Sequence, residues 1–145
     1  LVEVLTRNGY RAARYPDHVA ARIGFDEPLA HQIEAGADIF LMPSLYEPCG
    51  LNQMFSLKYG TIPIVRAVGG LKDTVQHYDA RAETGTGFVF EPYTAPALLD
   101  AVDQSLGVFH NKKAWTALRR RAMAMDFSWD RSAKGYVDLY RQLVN

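Results

Sequence analysis

The sequence predicts an α/β fold in which a parallel sheet is interleaved with helices and followed by a run of C-terminal helices. Short apolar runs, Ile39–Met42 (IFLM), Ile62–Val65 (IPIV) and Phe88–Phe90 (FVF), are separated by segments of helical periodicity. Alternating strands and helices favour a parallel sheet. Continuous apolar runs without alternation suit strands covered on both faces. Beyond Phe90 the apolar residues recur only at helical spacing.

The elements follow in order. Leu1–Tyr15 has helical character and stops before Pro16, since the residue preceding proline avoids helical geometry. Val19–Phe25 (VAARIGF) reads as a first strand. Pro28–Ala35 reads as a helix, with Asp26 as N-cap, Pro28 in the first turn and Gly36 past the end. Ile39–Met42 is expected to be the most buried strand. Leu51–Tyr59 is helical, with Leu51, Met54 and Phe55 on one face and Gly60 as the stop. Ile62–Val65 is the next strand, with Pro63 near its start. Three helices close the chain, with faces Leu98/Val102/Leu106/Phe109, Trp115/Leu118/Ala122/Met125 and Tyr136/Val137/Tyr140/Leu143/Val144. Ser128 or Asp130 caps the last of these.

Composition excludes several classes of function. The 145 residues are enough for one domain with a real core, and 48% of them are apolar. Lys+Arg and Asp+Glu both number 16, so bulk charge does not favour nucleic acid or an anionic membrane. A single cysteine excludes an internal disulfide framework and fits a cytoplasmic setting. No run approaches the ~18 uncharged apolar residues of a membrane span. The four histidines, His18, His31, His77 and His110, share no metal-ligand spacing, so no metal is expected. Arg119–Arg121 with Lys112 and Lys113 reads as a solvated helix face. The opening Leu1-Val2-Glu3-Val4 reads as mid-helix, and the chain is expected to be a piece of something longer.

The chemistry concentrates in PSLYEPCGLNQ, residues 43–53. This stretch leaves the carboxyl end of a strand, where ligands gather in parallel sheets. Gly50 and Leu51 open the next helix, whose free N–H groups and dipole make an anion site. Glycine allows a close approach to the backbone. An acid beside that site, Glu47, would repel phosphate but grips sugar hydroxyls through charge-assisted hydrogen bonds. Phosphate beside sugar points to a sugar nucleotide. Cys49 has no accompanying His/Asn pattern that would make it a nucleophile.

The stretch IGFDEPLAHQIEAGADIFLMPSLYEPCGLNQMFSLKYGTIPIVRAVGGLKDTV, with GTGFVF and AMAMDFSW further on, resembles the C-terminal domain of bacterial glycogen synthase and starch synthase. The similarity runs from about His18 to the end. The resemblance implies an incomplete Rossmann-like parallel sheet, the second half of a GT-B C-terminal domain, followed by helices. It also implies retaining transfer of glucose from ADP-glucose to the non-reducing end of an α-1,4-glucan, with no cofactor. By position, Glu47 matches the acid that holds the donor glucose, and Cys49 matches the active-site cysteine beside it. Gly50, Leu51 and Asn52 match the helix start that meets glucose and the distal phosphate. Phe25 matches a ring packed on adenine, and Gly69 and Gly70 match a tight turn near the donor. Fixed N–H donors stabilise charge developing on the departing diphosphate. A covalent carboxylate intermediate is one route to retention, but the family is associated with a front-face mechanism, so Glu47 is not read as a nucleophile.

Two positions depart from the pattern. Phe55 stands where many relatives carry a second acid that grips ribose, a substitution common among glycogen synthases. Val68 stands where many carry threonine. The family's N-terminal domain, its first strands and an Arg/Lys pair that clamps the diphosphate have no counterpart here, which leaves an expected gap in the sheet. The chain alone is therefore expected to lack synthase activity. The rival readings are a retaining GT-B transferase that uses UDP-glucose and a non-catalytic module that binds nucleotide or glucan.

Overall fold

The structure is a computed structural model that describes residues 14–144. The expected helix over Leu1–Tyr15 lies almost wholly outside the described residues. Contacts divide the chain into two units, Leu1–His31 and Gln32–Asn145.

In the first unit the Tyr15 carbonyl accepts from the amides of His18 and Val19, at 3.0 and 2.8 Å. The strand expected over Val19–Phe25 does not form: the segment is irregular and exposed throughout. A strand exists only by pairing its backbone with another, and this segment joins no ladder among the described residues. Its aliphatic and aromatic content was the strand signal, yet Ile23 and Phe25 stand in solvent. Asp26 is the predicted cap, its Oδ1 accepting from the Leu29 amide at 3.0 Å. Helix α1 (Glu27–Gly36) starts here.

In the second unit, three strands alternate with helices. They are β1 (Ile39–Met42), α2 (Asn52–Tyr59), β2 (Ile62–Arg66), α3 (Gly69–Thr74), β3 (Phe88–Phe90), α4 (Ala95–Phe109), α5 (Lys112–Met123) and α6 (Trp129–Val144). The sheet is open, ordered β1-β2-β3, and parallel throughout. The central strand is β2, and Ile62, Pro63, Ile64 and Val65 are sealed. The strand expected to be the most buried, β1, lies instead at the edge, with Leu41 half exposed. An apolar run cannot by itself distinguish a centre from an edge, because the order of strands is set by tertiary pairing.

The core gathers Leu57, Ile62, Ile64, Val65, Leu71, Phe88, Trp115 and Leu118. The predicted faces of α4 and α5 pack against it, except that Leu106 is partly exposed and Met125 lies past the end of α5. The Phe109 and Trp115 rings meet edge to face at 5.2 Å between centroids. The basic run on α5 is not simply a solvated face. Arg119 donates to the Gly60 carbonyl at 2.9 Å. Arg121 donates to the Gly85 carbonyl at 3.1 Å and lies over the Tyr78 ring. Of the three arginines, only Arg120 is exposed. Ser128 caps α6, its Oγ accepting from the Arg131 amide at 3.3 Å. No helix among the described residues is long and apolar enough to cross a membrane.

Candidate functional site

Because the strands are parallel and in register, Met42, Arg66 and Phe90 end at one edge of the sheet. The loops leaving that edge are drawn together by Arg66. Its Nε donates to the Glu91 carbonyl at 3.1 Å, its Nη1 to the Leu45 carbonyl at 2.8 Å, and its guanidinium lies 5.2 Å from the Tyr93 ring centroid. One planar cation thus ties the loop carrying Glu47 to the loop after β3.

The loop after β1 then meets the start of α3. Gly69 and Gly70, expected to make a turn, open this short helix. A Cβ on Gly69 would overlap the Glu47 carbonyl, and one on Gly70 would overlap the Cys49 carbonyl. The Gly70 amide donates to the Pro48 carbonyl at 3.2 Å. The glycine pair is therefore a cradle that lets two loops approach backbone to backbone.

Gly50 turns the chain into α2 with a left-handed φ of 72°. Leu51 precedes the helix, and no side chain caps that end. The Gly50 and Leu51 amides donate to no protein acceptor among the described residues. Glu47 is half-buried at this edge. Its carboxylate has no hydrogen-bond or ion-pair partner among the described residues. Cys49 is an exposed free thiol, and Asn52 is the exposed first residue of the helix. A loop that carries an unpaired carboxylate and ends in uncapped amides suits a ligand with both hydroxyl groups and negative charge.

The structure thus brings together Glu47, Cys49, Gly50, Leu51, Asn52, Gly69 and Gly70. Phe25 belongs to the first unit, where its ring is 97% exposed. An open groove of about 1240 Å³ adjoins the turn and is lined by Cys49, Leu51, Met54, Phe55, Thr74 and Trp129. Asp126 lies on its rim. The Ser128 hydroxyl and then the Ser128 amide hold this carboxyl below the ordinary aspartate range.

Helix α2 reverses its expected facing. Leu51 and Phe55 of the predicted apolar face are exposed, while Gln53, Ser56 and Leu57 are sealed in the core. The sequence carries this as a second periodic face, Gln53/Ser56/Leu57/Gly60, half of it polar and so weaker as a core signal. Arg66, Gln53 and Thr74 were likewise absent from the predicted site. Each acts on backbone carbonyls, which no side-chain motif records.

Residues 21–119 match the family described as glycosyl transferases group 1. Over 135 residues the chain is 64% identical to a glycogen synthase of Anaeromyxobacter sp. (strain K), covering 92% of this chain and 28% of that protein. A glycogen synthase of Thermotoga petrophila is 58% identical over 132 residues, covering 90% and 27%. Among solved structures, the catalytic domain of starch synthase IV from Arabidopsis thaliana, bound to ADP and acarbose, superposes with a TM-score of 0.84 at 32% identity, covering 98% of this chain and 30% of that one. Sucrose-phosphate synthase from Thermosynechococcus elongatus superposes with a TM-score of 0.64 at 30% identity, covering 96% and 34%. The chain spans less than a third of the length of these curated relatives.

Proposed function

Because this chain belongs to the group 1 glycosyl transferases, we propose that it forms the donor-binding part of an enzyme that transfers glucose from ADP-glucose to the non-reducing end of an α-1,4-glucan, with retention. Its open three-stranded parallel sheet with flanking helices matches the GT-B glycosyltransferase fold. The observation that carries the reading is an unpaired Glu47 carboxylate in the same short loop as the uncapped Gly50 and Leu51 amides, in a chain 64% identical to a glycogen synthase. The similar starch synthase was solved bound to ADP and acarbose, which supports a nucleotide and a saccharide as ligands.

In this reading the amides of Gly50 and Leu51 receive the distal phosphate of the donor. As the bond from glucose C1 to the diphosphate oxygen breaks, negative charge grows on that oxygen, and fixed N–H donors stabilise it without reorganising. Positive charge grows on the sugar ring, and the Glu47 carboxylate offsets it. The acceptor hydroxyl attacks C1 from the face the diphosphate leaves and gives its proton to the departing phosphate oxygen, which preserves the configuration. Cys49 and Asn52 border the sugar, Gly69 and Gly70 hold the Glu47 loop close to the donor, and Phe25 packs on the adenine. A preceding N-terminal domain completes the acceptor side and the diphosphate clamp, in the cytoplasm.

The test is glucan elongation by the full-length protein that carries this chain. Glu47→Gln is expected to lower kcat on the order of 100-fold or more. A variant within twofold of wild type would remove Glu47 from the chemistry and overturn the reading. Competition between ADP-glucose and UDP-glucose in the same assay decides the base, and a preference for UDP-glucose would replace the donor named above.

A further inference from the structure

Gln53 has no solvent exposure, and its side-chain amide nitrogen lies within 3.1 Å of three acceptors: the carbonyls of Cys49 and Gly50 and the Thr74 hydroxyl. An amide has two N–H donors, so one of these contacts is shared. Its Oε1 is buried without a partner and faces Gly50, where a Cβ would crowd it. The Thr74 hydroxyl in turn donates to the Gly70 carbonyl at 2.6 Å. A single side chain inside the core therefore touches both peptide units of the turn and, through one hydroxyl, the glycine pair opposite.

Peptide geometry gives this contact a consequence outside the core. No cis peptide occurs among the described residues. In a trans peptide the N–H points opposite its C=O. The Cys49 carbonyl turned inward onto Gln53 aims the Gly50 N–H outward. The Gly50 carbonyl turned inward aims the Leu51 N–H outward. Neither of these amides donates to a protein acceptor among the described residues.

We infer that Gln53 is a positioning residue that holds the Gly50 and Leu51 amides toward the donor diphosphate, with Thr74 relaying the same constraint to Gly70. The inference rests on the proposed glucosyl transfer. Gln53 never meets the substrate; it acts by fixing where two backbone dipoles point. An unmet buried polar atom such as Oε1 is costly, and every bond the amide does make goes to the turn or to Thr74.

The experiment compares Gln53→Met, Thr74→Val and Thr74→Ser in the full-length protein, with Glu47→Gln alongside. Gln53→Met keeps the length and removes both donors. The expected result is a loss in kcat with ADP-glucose on the order of 10- to 100-fold, since small misplacements of catalytic groups cost that much. The KM for glucan is expected to stay within twofold of wild type. Thr74→Val is expected to lose about tenfold in kcat, and Thr74→Ser, which keeps the hydroxyl, is expected to recover wild-type rates; a purely structural defect would not discriminate in this way. If Gln53→Met fails to fold, as read by circular dichroism, the Thr74 pair decides. Rates within twofold of wild type for Gln53→Met and Thr74→Val, with Glu47→Gln inactive, would overturn the positioning role alone. Full activity in Glu47→Gln would overturn the functional reading beneath it.

Discussion

A single methyl group at Gly70 decides whether two loops can touch. The hydrogen that stands there lets the loop after β1 lie against the start of α3, and a Cβ would meet Cys49 backbone atoms rather than a side chain able to move. Gly107 offers the opposite case, since it lies within α4 with nothing near the place a Cβ would take. Gly70→Ala is therefore expected to lower the thermal midpoint and weaken donor binding at least tenfold. Gly107→Ala is expected to stabilise the fold by about 1 kcal/mol through helix propensity alone. Chemical denaturation and calorimetry with ADP measure both. Equal effects from the two substitutions would show that the close approach at Gly70 does not matter.

At the scale of elements, periodicity carried much of the fold and then stopped short of order and facing. The three parallel strands, the capped start of α1 and the packing faces of α4 and α5 follow from spacing and caps. The edge position of β1 does not, because pairing is a tertiary choice, and residues 19–25 show that strand-forming residues make no strand without a partner. In α2 the apolar face lost the core to Gln53 and Ser56: Gln53 bonds to the Cys49 and Gly50 carbonyls, whereas the Ser56 hydroxyl is buried with no partner among the described residues. The candidate site follows the same division. Glu47 and the Gly50 turn announce themselves as chemistry in a loop, whereas Arg66 and Gln53 work on carbonyls and have no motif. The link between α5 and α6 permits a titration test. The Ser128 hydroxyl and amide hold the Asp126 carboxyl below its ordinary range. A folded carboxyl that releases its proton more readily than the unfolded one stabilises the fold above the unfolded value of about 3.9, and that stabilisation is lost as pH falls through the lower folded value. Asp126→Asn is accordingly expected to be less stable than wild type at pH 7, with the gap closing below about pH 4. Thermal midpoints of the two proteins across that range measure it, and a gap independent of pH would assign the effect to something other than charge.

At the scale of the whole molecule, surface that helices normally bury remains in contact with water. Helix α6 has no buried residue, and Trp129, Tyr136, Tyr140 and Leu143 are all more than 60% exposed. The outer edge of β1 also pairs with no strand among the described residues. Exposed apolar stripes and open edges of this kind are surfaces for partners, and curated relatives extend over more than three times the matched length. Glucosyl transfer in addition requires an acceptor held against the donor in one orientation, which accounts for a large share of such rate enhancements. In the proposed reading the groups collected at the sheet edge here, a carboxylate and a set of amides, answer to the donor. The purified 145-residue chain is therefore expected to bind ADP weakly and to elongate no α-1,4-glucan from ADP-glucose, under conditions in which the full-length protein does. Radiolabelled glucose incorporation into glycogen measures the difference. Turnover by the short chain at a tenth of the full-length rate or more would show that the donor edge also seats the acceptor, and that the rest of the longer protein serves another purpose.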